Sequence, residues 1–414
     1  MKKILIIAPS HYIEELKAYY IAPSEIEVTI EYYQEELLSG EDLRMATERL
    51  VLQGYDGFVG LVDWSSLFAA YLNKLIGNRH TPAVSVVAAL QDKLCSRKLQ
   101  AKHVGYKGLA LDSKYANQIK ASEFPLFIKP RRAAMSFMAQ ELKSPEELSD
   151  YCSIENQILL NEKNEEWRKL YEIIGIGDEL TSGIDSFVVE SLLPHGLQVT
   201  LDGFVQSKKV KFFGFTKSVF LPNHISFKRF DYPYHLPRRL VRKIERHAQK
   251  FVKKSGFNNS LFNIEYKIDI ESRTFALVEI NTRPSSQFMY SISTITGVHP
   301  LDAALYIVSG NKFRRRLKPI GRTMASVCVF RQSSDAIVKK IPTQADLRWF
   351  YDRYPTGKWK AYALPGEKLS DHPNDSHTYR YAEMTVFHQS DKPIHDFEDS
   401  LKHSFDKVVL LKDL

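Results

Sequence analysis

The stretch that most constrains the fold runs from Asn263 to Arg283. It reads Asn263-Ile264-Glu265-Tyr266-Lys267-Ile268-Asp269-Ile270, a polar Glu271-Ser272-Arg273, then Phe275-Ala276-Leu277-Val278-Glu279-Ile280-Asn281-Thr282-Arg283. Two alternating β-prone runs around a polar turn predict a β-hairpin. A spacing of two puts Glu279, Asn281 and Arg283 on one face of the second strand. Glu265, from the first strand, adds a third oxygen donor where the hairpin register brings it alongside. Three hard oxygen donors suit Mg2+ carrying substrate phosphates better than zinc or copper. Taken alone, the pattern also suits a solvated hairpin edge of mixed charge, so the other residues of the chain have to discriminate.

At 414 residues the chain exceeds one ordinary core, and usual domain sizes suggest roughly two to four units. Its 44% hydrophobic and 26% charged content is that of a folded globular protein. Cys95, Cys152 and Cys328 are scattered and odd in number, which supports neither a disulfide framework nor a Cys-x-x-Cys metal site and suits a reducing cytoplasm. Ile4 to Ala8 is too short an apolar run for a secretory leader and reads as a first buried strand. No apolar run approaches the roughly 20 residues that span a membrane. The net charge of +8 fits nucleotide-like substrates, an acidic partner or nucleic acid. The basic clusters Arg238-Arg239 with Arg242-Lys243, and Arg314-Arg315-Arg316, lack interleaved aromatics, which disfavours nucleic acid and suits solvated helix faces and a linker.

In chain order, Lys3–Ala8, Glu25–Glu31 and Gly57–Val62 predict strands separated by helix-length segments, with a helix over Leu67–Ile76 and a fourth strand at Ala83–Val87. This is a small parallel α/β unit over residues 1–90. The loop Pro9-Ser10-His11-Tyr12 has no Gly-x-Gly-x-x-Gly, so a dinucleotide site lacks its main support there. Residues 91–189 open with Asp92-Lys93 on a helix running to about His103 and stopped by Gly105. A strand Pro125–Pro130 carrying Lys129, a Pro145-initiated helix and a strand Phe187–Glu190 follow. Residues 190–315 hold strands at Gln198–Val205 and Val210–Phe220, a basic helix Leu240–Lys254, the hairpin, and a helix Pro300–Val308. Residues 316–414 read as a β-rich α/β extension with strands at Met324–Phe330, Trp359–Tyr362 and Tyr381–Phe387 and a closing helix Phe397–Leu411. The expected class is α+β, with the parallel unit followed by antiparallel sheets.

Asp92-Lys93, Lys129-Pro130 at a strand end, Glu190 with its Gly196 to Gly203 sequel, and Glu265 with Glu279-x-Asn281-x-Arg283 together resemble the ATP-grasp superfamily of ligases. The nearest branch is the one that includes biotin carboxylases and L-amino-acid ligases. The resemblance spans roughly residues 1 to 310, and the segment after 320 resembles that branch's C-terminal extension. It implies a nucleotide-binding, magnesium-dependent enzyme, a carboxylate-amine ligase that uses ATP and Mg2+ (or Mn2+). Lys93, Lys129 and Ser136 would then face the nucleotide, Glu190, Ser191 and Leu192 would form the adenine hinge, and Gln198 would meet the ribose. Glu265, Glu279 and Asn281 would hold metal, and Arg283 with Lys129 would serve catalysis. Phosphoryl transfer to a carboxylate crowds anionic oxygens, so lysines, a cation and a forked guanidinium are the groups it needs. Lys217, and Lys228 with Arg229 in the segment Asn223–Tyr234, are further candidates for contacting an acidic substrate. The expected partners are a small carboxylate and an amine. A thiol on an acidic carrier protein and a non-catalytic ATP-binding module are the alternatives, and self-association as a homodimer is left open.

Two features depart from the superfamily's pattern. Arg131 to Met138 contains no glycine where a glycine-rich phosphate loop is usual, and Gln198 stands in place of a glutamate. The sequence has no Gly-x-Ser-x-Gly elbow and no His-Glu-x-x-His. His195, His224 and His235 read as surface or packing histidines.

Overall fold

The computed structural model describes the chain except residues 33–42, 101–107, 112–118, 135, 182, 194–195, 318, 320, 373, 376, 390–408 and 414. Strands β1 (Lys2–Ala8), β2 (Ile26–Tyr32) and β3 (Gly57–Gly60) form a parallel sheet in the order β2-β1-β3. Ile4 to Ala8 are fully buried, as a strand covered on both faces requires. The expected fourth strand is not one: Val84–Gln91 is a helix. Its Val84, Val87, Ala88 and Gln91 recur at helical spacing and are all buried, so packing overrides the β preference of its valines.

A second, antiparallel sheet has the order β4-β7-β5-β6, from β4 (Gly108–Leu111), β5 (Leu126–Pro130), β6 (Gln140–Leu142) and β7 (Phe187–Ser191). Beside it, Asp92 caps the helix Lys93–Leu99 by accepting from Cys95 N at 2.8 Å, and Ser144 caps the helix Pro145–Tyr151. That first helix ends at Leu99, with Gln100 already extended, short of the expected run to about His103, and the expected stop at Gly105 lies outside the described residues.

The third sheet is the largest. Its order is β12-β11-β8-β9-β10-β13-β16-β15, every neighbouring pair antiparallel. The strands are β8 (Leu197–Gln206), β9 (Lys209–Phe220), β10 (Phe227–Tyr232), β11 (Ser260–Asp269), β12 (Thr274–Asn281), β13 (Thr323–Gln332), β15 (Lys358–Ala361) and β16 (Tyr379–Gln389). Hydrogen bonding from β10 to β13 carries this sheet across residue 316, so the last quarter of the chain extends it. The expected closing helix is replaced in its described part by β17 (Leu410–Asp413), which pairs with β14 (Ala336–Lys340). Residues 397–408 lie outside the described residues.

Helix Arg238–Ser255 covers one face of this sheet. It buries Leu240, Ile244, Ala248, Phe251 and Val252 in the core that holds Val199, Leu201, Ile264 and Tyr266. Each such side chain contributes about 1.5–3 kcal/mol on full burial. The opposite face of the helix exposes Arg238, Arg239, Arg242, Lys243, Arg246, Lys250, Lys253 and Lys254. With Glu245 as its one carboxylate, this helix accounts for seven of the chain's eight net positive charges. Cys95, Cys152 and Cys328 are free. Among the described residues, no helix is long and apolar enough to cross a membrane.

Candidate functional site

The hairpin forms with the register on which a site depends. Glu265 lies directly opposite Glu279, and Asn263 opposite Asn281, on β11 and β12. On the same face, β8 brings Gln198 beside Lys267, Thr200 beside Glu265 and Asp202 beside Asn263. Burial and the neighbouring charge of Glu279 push the Glu265 carboxyl up to about 8. Burial works against the charge of Glu279 as well, but Lys93, Lys129 and Arg283 outweigh it and hold that carboxyl below the ordinary range.

The smaller sheet supplies cations. Lys129 Nζ lies 3.0 Å from Glu190 Oε1. Arg97 grips the same carboxylate in two places, Nε to Oε1 at 3.3 Å and Nη2 to Oε2 at 3.2 Å. The Glu190 side chain is 1% exposed, so its charge is stabilised by these two cations rather than by water. Burial lowers the Lys129 ammonium from its ordinary value, partly offset by Glu190. Lys93 joins the two sheets: its Nζ donates to the Ala133 carbonyl at 2.6 Å, in the loop after β5, and stands 3.6 Å from Glu279 Oε2 on β12.

Arg283 is aimed by a partner 220 residues away. Its Nε and Nη2 donate to Asp63 Oδ1 and Oδ2 at 3.0 and 3.1 Å, at the start of helix Asp63–Leu75. Although burial disfavours its charge, the Asp63 carboxylate raises the Arg283 guanidinium above its usual value. The preceding residue, Thr282, accepts from Gln91 Nε2 at 2.9 Å.

The glycine-free loop solves its backbone problem without glycine. Ser136 and Met138 take positive φ of 56° and 52°, at the strain that a left-handed L-residue carries. Arg131 and Arg132, the two cations of that loop, are engaged by partners outside it. Arg131 Nε donates to Asp92 at 2.9 Å, and its guanidinium lies against Gly183, where a Cβ would fall 1.5 Å from Nη1. Arg132 stacks on Trp167 and Tyr171 at 4.5 and 4.6 Å and donates to Ala88 O.

Ser191 ends β7, Leu192 follows it, and His195 lies outside the described residues. Gln198 donates its Nε2 to Glu265 Oε2 at 2.8 Å. The second half of the segment Asn223–Tyr234 is mostly strand β10, Phe227–Tyr232. Within it Arg229 is buried against Asp231, Nε to Oδ1 at 2.9 Å, and Lys228 is half-buried. Lys217 pairs in register with the core residue Val199 and stands 5.4 Å over the Tyr234 ring. Directly paired residues share a face, so Lys217 lies on the side of the sheet away from Gln198 and Glu265. Asp63, Arg97, Gln91 and Asn263 escape a reading of the sequence, because each gains its meaning from a partner on another element.

Asp202 is also buried, and its Oδ1 accepts from Ser285 N at 3.2 Å, while its Oδ2 has no partner. Burial pushes this carboxyl up to about 7. A raised folded value favours the folded state at low pH and loses that advantage as pH rises from the ordinary carboxylate range through about 7. Asp202→Asn should therefore shift the stability difference from wild type in the variant's favour by roughly 2–3 kcal/mol between about pH 4 and 8. Urea unfolding across that range reads the shift. A constant difference would show that the carboxylate ionises without penalty.

No protein-family model matches the chain, and no curated protein sequence matches it. Solved structures do. An L-amino acid ligase from Bacillus licheniformis aligns over 100% of this chain and 99% of its own, with a TM-score of 0.72 at 14% identity. The fold is the ATP-grasp fold. Two further ATP-grasp structures agree. An N5-carboxyaminoimidazole ribonucleotide synthetase in its ADP complex covers 98% of this chain and 97% of its own, with TM-score 0.65 and 10% identity. A biotin carboxylase from Campylobacter jejuni covers 100% and 92%, with TM-score 0.61 and 11% identity. The ATP-grasp architecture accounts for the two antiparallel sheets whose cationic and carboxylate sides meet at Lys93.

Proposed function

We propose that this protein is an ADP-forming carboxylate-amine ligase. In this reading ATP phosphorylates a small carboxylate, and an amine then displaces the phosphate. The observation that carries it is the Lys93 contact: one ammonium touches both the loop after β5 and Glu279 on β12, so a polyphosphate bound there lies between Lys129 and the paired carboxylates. The likeness in fold to an amino-acid ligase, and to a synthetase solved with ADP, supports the same reading.

The donor set fits a hard cation. Glu265 and Glu279 face each other and Asn281 adds a carboxamide oxygen, an all-oxygen set with two like charges that a divalent ion relieves. Among the described residues no group of three or more His, Cys, Asp and Glu meets, so the set reaches three donors only through Asn281. Mg2+ bound by these three residues would neutralise phosphate charge and leave positions for phosphate oxygens.

The chain's own residues do the rest. Lys93 and Lys129 offset the charge of the γ-phosphoryl group as an oxygen of the substrate carboxylate forms its bond to phosphorus and the bond to ADP breaks. Arg283, fixed by Asp63, offers its fork to the carboxylate and then to the tetrahedral adduct formed by the amine. Collapse of that adduct forms the amide, expels inorganic phosphate and releases the amine's proton. An ADP-release assay over paired carboxylates and amino acids tests this. Sustained release only when donor and acceptor are both present is the expected result, and nucleotide binding without turnover for every pair would favour a non-catalytic module.

A second acceptor, a thiol or amine on an acidic carrier protein, is favoured by the helix Arg238–Ser255. Among the described residues none of its eight exposed cations has a carboxylate partner. An acceptor placed on an acidic peptide should show a lower KM than the free acceptor, with the advantage fading as salt is raised past physiological strength. Converting Arg239, Arg242, Arg246 and Lys250 to glutamine should abolish the advantage. Equal KM values for free and peptide-borne acceptors would remove this reading.

A further inference from the structure

We propose that Asn263 and Gln198 are positioning residues that preset Asn281 and Glu265 as cation ligands. The inference rests on the metal assignment made above, but it concerns residues to which that assignment gives no metal role.

The geometry is directional. Asn263 Nδ2 donates to the backbone carbonyl of Arg283 at 3.1 Å. A carbonyl only accepts, so the amino group of Asn263 must face it and Oδ1 must face the other way. Oδ1 then takes a donor, and Asn281 supplies one, Nδ2 at 2.8 Å. The amide of Asn281 is thereby oriented with its nitrogen committed and its oxygen left to face elsewhere. One backbone acceptor, through one buried carboxamide, decides that residue 281 offers an oxygen rather than an amino group. A cation needs that choice, since an NH2 group cannot ligate it.

Gln198 acts on the carboxylate of the pair. Its Nε2 donates to Glu265 Oε2 at 2.8 Å, which fixes the carboxylate plane and leaves Oε1 as the second oxygen. A glutamate at 198 would instead place a third carboxylate against two that already face each other. Asn263 and Gln198 are 2% and 7% exposed, so neither amide has water to satisfy it and each orientation is held by protein. Buried amides need partners in any protein. Here, however, both partners belong to the proposed ligand set, and the polarity of one chain of bonds is set by a group that cannot reverse.

The test is Mn2+ binding to the full-length protein with ADP, followed by the loss of the free-ion electron paramagnetic resonance signal and compared with ADP binding in the absence of metal. Asn263→Leu should weaken Mn2+ roughly 10-fold or more, and Gln198→Leu should weaken it by a similar order. Metal-free ADP affinity of Asn263→Leu should stay within about twofold of wild type, because that residue has no nucleotide role; Gln198→Leu, at the position that the sequence resemblance gives to the ribose, is compared for Mn2+ at saturating ADP. Retained metal-free ADP affinity in Asn263→Leu shows that the variant is folded, which separates positioning from a general loss of folding. Unchanged Mn2+ affinity in both leucine variants would overturn the inference, as would parallel loss of Mn2+ and metal-free ADP binding in Asn263→Leu. Wild-type Mn2+ binding that survives Glu279→Ala marks a different failure, that of the metal assignment itself, and would take the inference with it.

Discussion

Replacing Glu279 with alanine is expected to lower the turnover number about 100- to 1,000-fold while the protein stays folded. Glu279 is the carboxylate that remains ionised, because Lys93, Lys129 and Arg283 surround it, and it is the residue that Lys93 reaches from the other sheet. Removing it takes away one of the two carboxylate donors and loosens the lysine that joins the sheets. Its side chain is 28% exposed, so no buried charge is orphaned deep in a core, and unfolding should change by no more than about 1 kcal/mol. Steady-state kinetics with saturating ATP, together with urea unfolding, separates the two effects. Retained turnover would remove Glu279 from the metal set.

The opposite pattern is expected at Glu190. Alanine there takes from Arg97 and Lys129, 4% and 8% exposed, the one carboxylate that both contact directly. Breaking a buried pair from one side costs about 3–5 kcal/mol, since the stranded ions lose their stabilisation and do not regain water. Glu190→Ala should therefore unfold at markedly lower urea concentration. Converting Arg97 to methionine in the same chain should recover part of the loss, because one of the two stranded charges is gone. If Glu190→Ala unfolds like wild type, then water reaches these cations and the cluster is less enclosed than its exposures indicate. The residue thus has a structural duty beside the adenine-hinge role that the sequence resemblance implies.

Much of the site was legible in the sequence because its key part is local. Strand alternation alone put Glu279, Asn281 and Arg283 on one face, but the pairing of Glu265 with Glu279 depends on a shift of register between Glu265 and Tyr266 that the turn does not announce. Lys129 was marked by its place at the end of an apolar run before proline. What stayed hidden was long-range. Asp63 clamps Arg283 across 220 residues, and Arg97 meets Glu190 across 93, with only the one-turn spacing of Lys93 and Arg97 to suggest a shared helix face.

Charge without context misled at the other candidates. Arg229 is a cation in an aromatic-rich segment, yet the strand it lies on buries it against Asp231, two residues on. Arg131 and Arg132 look available for phosphate in a loop lacking glycine, and instead secure the helix cap at Asp92 and the aromatic pair Trp167 and Tyr171. The Val84–Gln91 helix was misread because β-branched residues favour strands until a core rewards helical spacing. Continuation of the large sheet past residue 316 had no local signature, since which strand β13 joins is decided by β10, far away in sequence.

The central claim is that the carboxylate is activated on the face between the two sheets by taking the γ-phosphoryl group. Oxygen-18 transfer from a labelled carboxylate, with a donor and acceptor found by ADP release, tests it most directly. The account predicts one labelled oxygen in the inorganic phosphate and ADP as the nucleotide product. Label in AMP, or phosphate free of label while amide accumulates, would contradict it.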